Sequence, residues 1–231
     1  MLEGLKEKVC KANKMIEENG LGVLSWGNVS ERDALTGFIV IKPSGVAFNE
    51  MKPDDMVVVD ADGKVVEGML NPSSDTLTHL EIYKKHPEIN SICHTHSLFA
   101  TAWAQGEKPL ECFGTSHADH FYGPIRITRS LTKEEVNHDY ELNTGIVINE
   151  TFANEKIMSC PGVFVKNHGP FTFGNDSIDA VNNSIILEFI CALAFNTLNI
   201  NPHKQQIEKY IMDKHYFRKN GPNSYYGQKK K

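Results

Sequence analysis

Between residues 91 and 97 the chain reads Ser-Ile-Cys-His-Thr-His-Ser, and this run constrains the fold more than any other. Ile92 and Cys93 look like the core of a short buried strand, and strand alternation then puts His94 and His96 on one face. Two neutral imidazoles side by side make a two-nitrogen seat for a divalent metal, most often zinc. A third histidine, His168, stands at the polar end of another apolar run, Val163-Phe164-Val165. A lone histidine of this kind is more often an ordinary surface residue. Two on one strand end with a matching third favour a metal, and three ligands with an open position describe a catalytic one.

The rest of the composition narrows the setting. With 231 residues, 40% of them hydrophobic, the chain can bury a proper core as one domain spanning 1–231. A net charge of −5 argues against nucleic acid as a partner. The single basic run, Lys229-Lys230-Lys231, reads as a solvated tail. No apolar stretch is expected to approach the ~18–20 residues that span a membrane. The N-terminus is charged and helical in pattern, unlike a signal peptide. Cys10, Cys93, Cys112, Cys160 and Cys191 are odd in number, form no C-x-x-C pair and mostly sit among apolar neighbours. They read as reduced core thiols of a cytoplasmic protein, and alternation turns Cys93 away from the histidines.

Helical spacing of Leu2, Leu5, Val9, Ala12, Met15 and Ile16 predicts a helix over 2–19, closed by Gly20. Strands are expected at 38–41, 56–60 and 64–66, with Asp62-Gly63 as a hairpin turn between the last two. Further helices are predicted after Ser73-Ser74-Asp75-Thr76 to about His86, from Ser97 to about Gln105, from near Asp176 to about Leu198, and over roughly 204–219. Strands at 91–96 and 162–166 lie among them. This is an α/β pattern of three layers, helices covering a central sheet that is antiparallel at least in part.

Three polar segments are rich in anion donors. Gly27 and Asn28 offer close backbone approach and an amide. Lys42, Ser44 and Gly45 offer a cation, a hydroxyl and open backbone. Ser73 and Ser74 stand at a helix N-terminus, where free N–H groups and the dipole favour phosphate. Each alone is an ordinary turn or cap; together they suggest a phosphate monoester site. No Walker-type or G-x-G-x-x-G pattern is present, so nucleotide is not favoured. Asp75 is either a first-turn carboxylate stabilising its helix or a group near the metal. Asp119, among Phe113, Phe121 and Tyr122, is a candidate acid/base. Glu141, His215 and Tyr226 are unremarkable on sequence grounds alone.

Taken together, Trp26-Gly27-Asn28-Val29-Ser30, Lys42-Pro43-Ser44-Gly45, Pro72-Ser73-Ser74-Asp75-Thr76, His94-Thr95-His96-Ser97, His117-Ala118-Asp119, Asn167-His168-Gly169-Pro170, Asp213-Lys214-His215-Tyr216 and Tyr225-Tyr226-Gly227-Gln228 resemble the class II aldolase/epimerase family, over essentially the whole chain. The resemblance is to its pentulose-phosphate epimerase branch. Related sugar-phosphate aldolases carry glutamate where this chain has Asp75, and lack the His-Ala-Asp and Tyr-Tyr-Gly-Gln runs. The resemblance implies a three-layer α/β/α fold with a central mixed, largely antiparallel sheet. It implies one zinc per subunit on His94, His96 and His168, with Asp75 near it or on it. It also implies phosphate contacts from Gly27, Asn28, Lys42, Ser44, Gly45, Ser73 and Ser74, with Thr115, Glu141 and His215 in support. The implied reaction interconverts L-ribulose 5-phosphate and D-xylulose 5-phosphate, with Asp119 and Tyr226 as the acid/base pair. These two are expected to meet from different subunits of a homotetramer through the C-terminal helical tail. Sugar-phosphate aldolase, zinc-dependent dehydratase and non-catalytic binding module are the competing readings.

Overall fold

The computed structural model describes residues 2–153 and 155–228; the Lys229–Lys231 run therefore lies outside the described residues. After helix α1 (Glu3–Glu18) come four strands, β1 (Asn28–Arg32), β2 (Ile39–Ile41), β3 (Val57–Val59) and β4 (Val65–Glu67). Helix α2 (Thr76–Lys85), strand β5 (Ser91–His94), helix α3 (Leu98–Gln105) and the short α4 (Thr115–Ala118) follow. Then come β6 (Arg126–Ile127), α5 (Lys133–Asn137), α6 (Tyr140–Thr151), the pair β7 (Gly162–Val165) and β8 (Gly169–Gly174), α7 (Ser177–Ile200) and α8 (Lys209–Lys219).

One eight-stranded sheet in the order β4-β3-β2-β1-β5-β8-β7-β6 forms the centre. Every pairing is antiparallel except β6 with β7, so the mixed, largely antiparallel expectation holds. Alternation along the strands builds the layers. Ile39, Ile41, Val57, Val59, Ile92, Val163, Val165, Phe171 and Phe173 face α2 and α6, packing with Leu80, Ile82, Tyr83, Ile148 and Phe152. The intervening Val29, Val40, Val58 and Cys93 meet Val9, Ala12 and Ile16 of α1 and Ala180 and Val181 of α7. On that second side Phe164 packs with Ala100 and Ala104 of α3 and Leu187 of α7.

Two expectations need correction, and one helix is new. The segment around Asn28, read as a polar loop, is strand β1. Its polar side chains Asn28 and Ser30 are buried and hydrogen-bonded toward α2, so hydropathy hides the alternation. The membrane-span expectation also fails as stated, because α7 is long and apolar enough to cross a membrane by length and composition. One face of it packs against β5, β8 and α3, while Phe189, Phe195 and Ile200 are exposed. Within it, Glu188 accepts from the N–H groups of Phe99 and Ala100, both at 2.8 Å, satisfying the first turn of α3. Finally, α6 has no amphipathic signature and was not foreseen. It approaches α2 so closely that a Cβ on Gly145 would stand 2.8 Å from Glu81 Cβ and 2.9 Å from the Thr78 carbonyl oxygen. We predict that Gly145→Leu destabilises by ~1–3 kcal/mol through overpacking. For a chain of this size that is a Tm lower by ~2–12 °C. An unchanged calorimetric Tm would show that the two helices separate freely.

Candidate metal centre and anion pocket

Strand β5 ends at His94, which shares the face of Ile92 and therefore points into the α2/α6 layer, stacked on Phe171 with ring centroids 4.2 Å apart. His96 follows two residues on, just before α3. The β7–β8 turn, in which Asn167 takes φ +63°, returns His168 to the same end of the sheet. The ligand atoms of His94, His96 and His168 all lie within 4.8 Å of one another. His94 Nδ1 lies 3.0 Å from the Pro170 carbonyl oxygen, to which it donates, leaving Nε2 as a bare lone pair. That Nε2 stands 3.1 Å from His96 Nε2. Two nitrogens sharing a tetrahedral zinc at ~2.0–2.1 Å are ~3.3 Å apart, so the donor set fits the ion. Burial pushes His94 down to about 3 and lowers His96 and His168 as well. All three are neutral imidazoles, the form that ligates. Cys93 points the other way, its thiol pushed up to about 12 by burial beside Ser184 of α7.

The three histidines line a cavity of about 430 Å³. Gly27, Asn28, Lys42, Ser44, Gly45, Ser73 and Ser74, the full set of proposed anion donors, line it together with Asp75. Gly27 takes φ +98°, and a Cβ there would come 2.8 Å from the His94 carbonyl oxygen, so only glycine lets this loop lie against the histidine strand. Lys42 is almost fully buried and donates to the carbonyls of Ser25 and Pro43 at 3.2 and 3.3 Å. Burial pushes its ammonium down to about 8, against the pull of Asp75.

Asp75 occupies the N-cap of α2, yet its side chain caps no helix N–H among the described residues. Its carboxylate instead accepts from Asn28 Nδ2 at 2.6 Å and faces the cavity, outside the tight three-histidine group. Burial opposes its ionisation, but His94, His79 and the Asn28 amide outweigh it and hold its pKa below the usual range. The N-terminal turn of α6 adds Glu141 and Tyr140 to the lining, so Glu141 is not the surface carboxylate it resembled. Tyr140, which was missed, has its hydroxyl 3.4 Å from His168 Nδ1. The capping box of Thr132 and Glu135 marks only the preceding helix α5, not α6, which carries both residues.

Asp119, His215 and Tyr226 gather elsewhere. Asp119 accepts from Arg218 at 2.9 and 2.6 Å and pairs with His215 at 3.1 Å. Burial works against its charge, but Arg218, His215 and Lys219 hold its pKa below the usual range. The Arg218 guanidinium also lies 4.9 Å from the Tyr226 ring centroid, and the tail folds back so that Tyr226 N–H donates to the Arg218 carbonyl. Asp119 and Tyr226 thus flank one guanidinium within a single chain. Beside Asp119 are Ile185, Ile186 and Phe189 of α7, on the sheet side opposite the cavity, with exposed Thr115 at the start of α4.

The chain belongs to the class II aldolase and adducin N-terminal domain family, whose model matches residues 7–195. Among solved structures, L-fuculose 1-phosphate aldolase is 25% identical with a TM-score of 0.78, over 92% of this chain and 94% of that one. YgbL from Escherichia coli, a candidate aldolase/epimerase/decarboxylase, is 21% identical with a TM-score of 0.74, over 92% and 97%. The L-fuculose-1-phosphate aldolase of Thermus thermophilus is 19% identical, TM-score 0.68, over 87% and 99%. The last two share the fold.

Proposed function

We propose that this chain is a zinc-dependent epimerase interconverting L-ribulose 5-phosphate and D-xylulose 5-phosphate. The observation that carries the reading is the three-histidine group in one cavity with Asn28, Lys42, Ser44, Ser73 and Ser74 as anion donors and the carboxylates of Asp75 and Glu141. Inverting C4 of a 2-ketose is a specific chemical problem. C4 is not adjacent to the carbonyl, so its hydrogen is not acidic and simple deprotonation fails. Breaking and remaking the C3–C4 bond solves it: the two-carbon fragment, glycolaldehyde phosphate, presents its other face before the bond re-forms. Zinc held by His94, His96 and His168 supplies Lewis acidity for negative charge developing on the ketone side.

The protein's own residues do the rest. Lys42, Ser44, Gly45, Ser73, Ser74 and Asn28 anchor the phosphate while the aldehyde turns, and Gly27 lets the backbone approach. Retention distinguishes an epimerase from an aldolase, which releases the fragment. The C4 oxygen loses its proton on one side and regains it on the other, so two acid/base groups are needed, and Asp119 and Tyr226 are assigned to them. Because they lie across the sheet from the cavity, they serve the cavity of a neighbouring copy, in a head-to-tail homotetramer.

The aldolase reading is the second one, favoured by the similarity to L-fuculose 1-phosphate aldolase. A coupled assay supplying L-ribulose 5-phosphate tests both the activity and its metal. Formation of D-xylulose 5-phosphate that stops on chelation and returns with zinc is expected. No product in any zinc-loaded sample would overturn the reading.

Lys42 supplies a pH test. Its protonated form binds phosphate and predominates below about 8, while the phosphate itself stays dianionic above ~6. KM is therefore expected to rise between pH 7 and 9. Lys42→Met removes a charge-assisted contact of ~1.5–3 kcal/mol, raising KM about ten- to a hundredfold at pH 7 and flattening the pH trend. A mutant with the wild-type KM would remove Lys42 from the phosphate.

A further inference from the structure

Helix α3 is eight residues long, short of the ~12–15 at which a helix becomes marginally stable alone in water. Its place is therefore set by what holds its two ends, and neither end is held locally. Ser97 stands at the N-cap, where a hydroxyl ordinarily serves the N–H groups two and three residues on. It makes no such bond; its oxygen accepts instead from Thr95 Oγ1 at 3.4 Å. The two N–H groups, of Phe99 and Ala100, donate to the two carboxylate oxygens of Glu188 on α7, each at 2.8 Å. About one turn further along α7, the Cys191 carbonyl accepts from Trp103 Nε1 at 3.2 Å. Helix α3 is thus fastened to α7 at its start and again at its middle.

The other end is fastened to the turn that carries His168. In the last turn of α3 the Ala104 carbonyl, one that a helix leaves unpaired, accepts from the Asn167 N–H at 3.1 Å. Lys166 of the same β7–β8 turn pairs with Glu107, just beyond α3, at 2.8 Å. His168 follows Asn167 in the chain, and His96 precedes Ser97. Two of the three histidines therefore hang from opposite ends of one short helix, whereas His94 belongs to the sheet as the last residue of β5. Any shift of α3 moves His96 and His168 relative to His94.

We propose that Glu188 is a positioning residue for the three-histidine seat: by capping α3 from α7 it fixes where the helix starts, and through the helix it sets His96 and His168 against His94. The proposal rests on the preceding section only in taking the three histidines to hold a metal, and no step of the reaction enters it.

The test reads metal binding rather than turnover. Zinc affinity is measured by competition with a chromophoric chelator, and ligand geometry from the visible spectrum of the cobalt-loaded protein. Glu188→Ala is expected to raise the zinc Kd about 10–100-fold, the range for groups that orient metal ligands from behind, and to shift the cobalt bands. Glu188→Gln keeps one acceptor oxygen at the same reach and should recover part of both, with a Kd raised about three- to tenfold. Asp176→Ala is the control for stability alone. It removes the cap of α7 itself, where Asp176 accepts from the Asp179 N–H at 2.9 Å, and should lower the Tm while leaving the zinc Kd and the cobalt spectrum unchanged. Wild-type protein that binds no zinc would overturn the metal reading and this proposal with it. Tight zinc binding by wild type, matched by Glu188→Ala in Kd and cobalt spectrum, would overturn this proposal alone and leave Glu188 a helix cap. An equal loss of affinity in Asp176→Ala would do the same. Should the alanine variant fail to fold, Glu188→Gln carries the test, and a wild-type Kd in that variant would overturn the proposal.

Discussion

His94→Asn is expected to lose zinc and turnover together, with the fold retained. Asparagine can reproduce the Nδ1 donation to the Pro170 carbonyl but has nothing in the position of Nε2, the atom that faces His96. The substitution therefore deletes the metal-facing lone pair and spares the contact that orients the side chain. Lewis-acid stabilisation is worth several kcal/mol, and each ~1.4 kcal/mol is a factor of ten, so the rate should fall at least about 10³-fold. His168→Asn should behave alike. Cys93→Ala is the internal control: its thiol faces Ser184 on the other side of the sheet, so zinc content should be unchanged. Full zinc occupancy and full turnover in His94→Asn would contradict the metal assignment.

The second large effect concerns how protomers share a site. Asp119→Asn and Tyr226→Phe are each expected to slow the reaction ~10²–10⁴-fold. Sequence resemblance leads one to expect that the pair meets from different subunits, so that the two dead mutants would rescue one another. Within one chain both stand beside Arg218, and we propose instead that this cluster acts as a unit. Co-refolded Asp119→Asn and Tyr226→Phe should stay at the single-mutant level, because every site receives one damaged cluster. Co-refolded His94→Asn and Asp119→Asn should recover to roughly a quarter of wild type, the fraction of random head-to-tail interfaces joining an intact pocket to an intact cluster. Recovery in the first mixture and none in the second would show that the pair is split between subunits after all.

The three-histidine group was legible in the sequence because strand alternation is local: Ile92 and Cys93 set the face of His94 without knowledge of any neighbour. Helices α1, α2 and α7 and the β3–β4 hairpin were legible for the same reason. Strand β1 was not, because its inward face is polar and is matched by α2 only after folding. Nor was α6, whose packing depends on the bare Gly145 surface meeting Thr78 and Glu81. The anion donors were legible as three separate loops, but their convergence on one cavity is a property of the sheet order. Asp75 shows the limit clearly. A carboxylate at a helix N-cap is expected to cap, and only the contact with Asn28 at 2.6 Å shows that this one does not.

The central claim is that the C3–C4 bond is broken and remade within a cavity that retains the phosphorylated fragment. It is tested most directly by following zinc-loaded protein and L-ribulose 5-phosphate by carbon NMR to equilibrium. The account predicts D-xylulose 5-phosphate as the product, with no build-up of free glycolaldehyde phosphate or dihydroxyacetone. Accumulation of those two fragments in equal amounts, without the epimer, would contradict it and make the chain an aldolase.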